Sequence, residues 1–130
     1  MATDAPDAFR RVKAARDLLA RWMTEAGLTV RIDDLGNMSG DSSASRMRRR
    51  CTWVRISTPS CAGGRYDGAL GVMGALEVIR TLNDHNVQTR LPVALVNWTN
   101  EEGVRFEPAT LCSGAVARRL RATIPMASGP

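Results

Sequence analysis

The sequence predicts a layered α/β domain, and the order of four stretches carries that prediction. An amphipathic segment from Asp7 to Ala26 is followed by a short alternating stretch from Leu28 to Asp33. A second helical segment, "GALGVMGALEVIRTLND", then leads to the near-continuous apolar run "LPVALVNW", Leu91 to Trp98. Helix, strand, helix and strand in that order imply a sheet with helices packed against it.

In the first segment Phe9, Val12, Ala15, Leu19, Trp22, Met23 and Ala26 recur at helical spacing, while Arg10, Arg11, Lys13, Arg16, Asp17 and Arg21 make the wet side. Gly27 supplies the stop, because a glycine takes the left-handed backbone that ends many helices. "LTVRID" alternates as a half-buried strand does, and "DLGN" turns the chain. In the second helix Leu70, Met73, Leu76, Ile79 and Leu82, or their neighbours, are expected to face inward. The unbroken apolar run from Leu91 to Trp98 predicts a strand covered on both faces.

Between these elements, Ser39 to Gly63 shows no sustained period of either kind and is long for a structureless loop. Trp53, Val54 and Ile56 are suited to a short strand there, in which a buried Arg55 would need a partner.

A chain of 130 residues is one domain or part of one. Its 18 basic and 13 acidic residues leave a net charge of +5, a balance that raises nucleic acid or an anionic membrane as partners. The excess is local, however. Lys13 is the only lysine, and the arginines crowd at Arg46, Arg48, Arg49, Arg50 and Arg55 and again at Arg118, Arg119 and Arg121. With no aromatic platform or nucleic-acid fold motif beside them, a small basic nucleic-acid-binding protein is the alternative reading, and no nucleic acid is the expectation. Cys51, Cys61 and Cys112 form no C-x-x-C pair, which fits free thiols in a reducing compartment. The polar opening and the lack of a long apolar segment predict a cytoplasmic protein with no membrane partner.

Three carboxylates stand where an open α/β sheet binds ligands, beyond the carboxyl ends of its strands. Asp67 lies in the glycine-rich "GGRYDGALG" ahead of the second helix, and Glu101 and Glu102 follow the apolar strand in "NWTNEEGVRF". Such oxygens suit divalent cations, and adjacent glutamates can divide the work of metal ligand and general base.

Together, "WMTEAGLTVRIDDLGNMSG", "GGRYDGALGV", "ALEVIRTLN" and "VNWTNEEGVRFEPATL" resemble the dinuclear metal amidohydrolases that include N-carbamoyl-L-amino-acid hydrolase, allantoate amidohydrolase and β-ureidopropionase. The resemblance implies the opening part of a zinc-peptidase-like three-layer catalytic domain, a central sheet with helices on both faces. It implies two divalent metal ions, Zn or else Mn, Co or Ni, and a small ureido or N-carbamoyl substrate. On the matching positions, Asp67 is expected to bridge the metals, Glu101 to be the catalytic general base and Glu102 to be a metal ligand. A metal-bound water would then attack the ureido carbonyl. A related aminoacylase or aminopeptidase acting on amide bonds is the alternative within enzymes. The family is expected to dimerise through an inserted domain that this chain lacks.

The same resemblance implies a histidine in a "SHLDTV" stretch just ahead of the "YDG" turn. Here Ile56, Ser57 and Thr58 stand in its place, and the only histidine, His85, sits in the polar "LNDHNV" and is expected to be solvated. The genetic code offers an account. Ser45 to Cys61 can be encoded so that, read one frame over, the same letters give "PDAPTLYLGSHLDTVL", with histidine over Ile56 and aspartate over Thr58. The expected organisation of 1–130 as a truncated catalytic domain is therefore a helix–strand opening at 1–40, an out-of-frame tract at 41–62, a metal-site helix–strand unit at 63–114 and a tail at 115–130. The tail is read as a second slip followed by an early stop. In this form the chain is expected to bind metal poorly and to be inactive.

Overall fold

The computed structural model describes residues 5–42, 51–56, 66, 68–103 and 107–117, with the backbone alone at 5–9 and 51–56. Its elements run α1 (Ala5–Glu25), β1 (Thr29–Ile32), β2 (Met38–Asp41), β3 (Cys51–Ile56), α2 (Ala69–Asp84), β4 (Val93–Trp98) and α3 (Leu111–Val116). The expected α/β class is the one observed. The four strands form one mixed sheet in the order β1-β2-β4-β3, antiparallel except for the parallel pair β3 and β4.

Helix α1 stops as its glycine requires. Gly27 has φ 78°, its N–H donates to the Thr24 carbonyl at 2.9 Å, and the Leu28 N–H reaches back to the Met23 carbonyl at 2.9 Å. That pair of bonds satisfies two carbonyls the helix end would leave bare, and Met23 and Leu28 join the core. The C-terminal end of α2 repeats the device with Asn86 at φ 50° in place of glycine, Val87 N–H donating to the Leu82 carbonyl at 2.8 Å. The Asn83 side-chain amide of α2 then donates to the Ala26 carbonyl at 2.9 Å, joining the ends of the two helices.

Both helices pack on one face of the sheet. Leu19, Met23 and Ala26 of α1 and its cap, Val72, Ala75, Leu76 and Ile79 of α2, and Met38, Val93 and Leu95 of the strands belong to one buried cluster. Strand β4 is buried along nearly its whole length, as its apolar run predicts. Its other face, Ala94, Val96 and Trp98, looks with Ser39 and Asp41 into a cleft that Val116 of α3 also lines.

Three expectations need correction. On α2, Leu76 and Ile79 are buried and Leu82 packs against the core as expected, but Leu70 and Met73 are exposed and Val72 and Ala75 take the remaining inward places. Strand β1 is less buried than its alternation suggests. Leu28 before it is buried, Val30 is half-buried and Ile32 is 62% exposed, because β1 is an edge strand that runs out from under α1. Overlapping the start of the tract that showed no period, Met38–Asp41 is a strand in the middle of the sheet, paired on both sides. The backbone of Cys51–Ile56 is the short strand that Trp53, Val54 and Ile56 suggested; the Arg55 side chain and the thiols of Cys51 and Cys61 lie outside the described residues. Cys112 is a free, buried thiol, and His85 caps α2 as an exposed residue.

Candidate active site

Strands β3 and β4 run parallel with α2 between them in sequence, so both end at the same edge of the sheet, where the turn into α2 also lies. The last pair of their ladder is Ile56 opposite Trp98. Tyr66 and Gly68 stand just before α2, both with positive φ, 76° and 67°. Asp67 between them lies outside the described residues.

Beyond Trp98 the chain leaves the sheet in a bend that carries the glutamates. Asn100 is buried and left-handed at φ 52°, Glu101 is half-buried and Glu102 is exposed. Thr99, at the root of the bend, is held at three points. Its N–H donates to Asn37 Oδ1 at 3.0 Å, its hydroxyl donates to the Gly36 carbonyl at 2.6 Å, and its Oγ1 accepts from Arg16 Nη1 at 3.3 Å. On the far side, the Glu101 carbonyl accepts the Thr110 N–H at 2.5 Å. Gly103 closes the bend at φ 71°, where an added Cβ would stand 3.0 Å from the Ala109 nitrogen, so the backbone passes too close for a side chain.

The electrostatics follow from burial. Arg16, half-buried where α1 meets the 33–37 turn, has its pKa lowered by desolvation, with Asp17 and Asp33 acting in the opposite sense. The Cys112 thiol, whose Sγ lies 3.7 Å from the Leu35 carbonyl, is pushed up by burial and then by the Asp33 charge.

The bend thus brings a half-buried glutamate and an exposed one to a strand's carboxyl end, and carboxylates are side chains that can accept a proton or offer oxygen donors. Among the described residues, however, no three His, Cys, Asp or Glu side chains come together to hold a metal ion. Glu101 and Glu102 alone are two oxygen donors without a nitrogen partner, an incomplete set for a tightly held zinc or similar cation. The residues that the sequence did not single out are Arg16, Asn37 and Thr99. Asn37 lay in plain view in the "DLGN" turn, but its partner Thr99 is far away in sequence and only the fold pairs them.

No family model matches the chain. Among curated proteins it is 40% identical over 107 residues to an N-carbamoyl-L-amino-acid amidohydrolase of Rhizobium meliloti, covering 78% of this chain and 25% of that protein. It is 30% identical over 112 residues to allantoate deiminase 1 of Glycine max, covering 84% of this chain and 23% of that protein. A solved structure from Burkholderia vietnamiensis, an amidase of the hydantoinase/carbamoylase family, superposes with a TM-score of 0.73 at 46% identity, covering 83% of this chain and 26% of that one. The chain thus spans about a quarter of the length of the curated relatives it matches. These amidohydrolases are its homologues along the aligned residues. Among the described residues, no helix is long and apolar enough to cross a membrane.

Proposed function

We propose that this chain, a homologue of N-carbamoyl-L-amino-acid amidohydrolase and allantoate deiminase, carries the base-bearing bend of a cytoplasmic, metal-dependent hydrolase of ureido C–N bonds. The substrate class is a small N-carbamoyl amino acid or an allantoate-type molecule. In its present form the chain neither holds metal stoichiometrically nor turns substrate over.

The observation that carries the reading is the Glu101–Glu102 bend at the carboxyl end of the buried strand β4, in a chain so related. Glu101, half-buried and anchored through its own carbonyl, is the general base that takes the proton of an attacking water. Glu102 and Asp67 are oxygen donors for the two divalent ions that the resemblance implies.

The inactivity of this form follows from the missing donors. The described carboxylates do not complete a metal site by themselves. Residues 41–62 are proposed to be out of frame, and the sheet register supports where the loss falls. Position 56 is the last pair of the β3 and β4 ladder, beside the strand that leads into the bend, and it holds Ile56. The sequence has one histidine, His85, at the C-terminal end of α2, and aliphatic Ile56 cannot supply a nitrogen donor.

Replacing Arg46–Cys61 by "PDAPTLYLGSHLDTVL", which includes Ile56→His and Thr58→Asp, tests the proposal directly. Titration calorimetry with Zn2+ is expected to give a Kd at least about tenfold tighter than that of the unaltered chain, and Glu102→Gln is expected to reverse the gain. Equal binding by the two chains, or stoichiometric Zn2+ on the unaltered chain, overturns it. Resequencing the coding DNA across codons 40 to 63 decides independently whether the slip belongs to the gene.

A further inference from the structure

Two of the three contacts on Thr99 come from one turn, at Gly36 and Asn37, and that turn is held by its own hydrogen bonds. Asp33 Oδ1 accepts the N–H groups of Leu35 at 3.0 Å and Asn37 at 2.8 Å, and Asp33 Oδ2 accepts the Asn37 side-chain amide at 2.9 Å. The Asp33 N–H donates to the Asn37 carbonyl at 3.0 Å, and the Gly36 N–H donates to the Asp33 carbonyl at 2.9 Å. Asn37 is 3% exposed, so its amide group has its orientation fixed by Asp33 and its Oδ1 left for one donor, the Thr99 N–H. Arg16 of α1 lies across the same point, donating to both the Gly36 carbonyl and Thr99 Oγ1.

Strand β4 needs no such device for its own stability, since it is paired on both sides and buried in the core. What the polar knot fixes is the exit of the chain from the strand, two residues before Glu101. Directional bonds suit that task, because burial is indifferent to the angle at which a bend departs, whereas a hydrogen bond weakens steeply off axis. Left-handed Asn100 then follows a fixed root, and the Thr110 N–H fixes the Glu101 carbonyl beyond it.

We propose that Asn37, oriented by Asp33 and backed by Arg16, is a positioning residue that sets how the Thr99–Gly103 bend presents Glu101 and Glu102. The proposal rests on the reading of those two glutamates as the site carboxylates. It assigns the "DDLGN" turn of the sequence to the carboxylate bend rather than to chain reversal alone.

Two readouts test it. Amide hydrogen exchange of the unaltered chain and of Asn37→Ala is compared residue by residue. The expected result is exchange at least about tenfold faster at Thr99 to Gly103, with α2 unchanged, while Thr99→Ser, which keeps the hydroxyl, leaves the bend protected and Thr99→Val does not. Unchanged exchange at the bend, or an equal rise throughout α1 and α2, overturns the proposal. In the chain carrying the replaced 46–61 segment, Asn37→Ala is expected to raise the Zn2+ Kd about tenfold and Thr99→Ser to leave it alone; a Kd indifferent to Asn37→Ala overturns the proposal as well. If that chain binds no Zn2+ at all, the functional reading fails and the exchange pattern alone decides whether Asn37 positions the bend.

Discussion

The helix-covered face of the sheet and the polar knot at its carboxyl edge are held by different physics. On the face, Met23, Leu76 and Leu95 are completely buried and touch one another's cluster without direction. At the edge, Arg16, Asp33, Asn37 and Thr99 are joined by directional hydrogen bonds, with the Gly36 carbonyl accepting from both Arg16 and Thr99. The face determines whether the domain holds together, and the edge determines where two carboxylates stand. Damage to the first is expected to appear as lost stability, and damage to the second as lost geometry with stability largely kept.

Hollowing the face is expected to have the largest effect on stability. Leu76→Ala is expected to cost about 2–5 kcal/mol, measured by urea unfolding, while the exchange pattern of the Thr99–Gly103 bend relative to its neighbours stays as it was. A selective loosening of the bend in Leu76→Ala would show that the two regions are not separable. A smaller effect is expected where the face is overfilled. An added Cβ at Gly40 would lie 3.0 Å from Leu28 Cδ1, 3.2 Å from Leu28 Cβ and 3.3 Å from Met23 Sδ. Gly40→Ala should therefore destabilise by about 1–3 kcal/mol, and a neutral result would mean that α1 can lift from β2 at little cost.

The smallest effect is expected from Cys112, whose thiol touches the Leu35 carbonyl in the turn at the edge. Its pKa is raised in the folded state, so folding favours the protonated thiol. The stability this contributes is present below the ordinary thiol pKa of about 8.5, and is lost as pH rises through the raised value. Urea midpoints taken from pH 7 to pH 10 should fall more for the unaltered chain than for Cys112→Ser. Equal falls would place the pH dependence elsewhere.

Much of this could be read before the fold was known. The stop at Gly27 and the burial of β4 follow from local chemistry, because a helix must end where its carbonyls can be capped and an unbroken apolar run must be hidden. The buried side of α2 was legible only to within one position. "ALGVMGALEVI" carries apolar residues around more than half its circumference, so the sequence offers several stripes and packing selects Val72, Ala75, Leu76 and Ile79. Strand β2 was not legible at all. "MSGD" has little intrinsic preference for a strand, and it becomes one because β1 and β4 supply partners on both sides and Gly40 lets Leu28 and Met23 come close.

The candidate site divides along the same line. That Glu101 and Glu102 follow a buried strand, and that "DLGN" turns the chain, were legible before folding because both are statements about neighbours along the backbone. That the turn grips the root of the glutamate bend was decided only in three dimensions. The bond from Thr99 to Asn37 spans 62 positions of sequence, and no periodicity or propensity reaches that far. Hydrogen-bond partners at such separation are chosen by the sheet register, which places the end of β4 against the start of β2, with Met38 opposite Asn97.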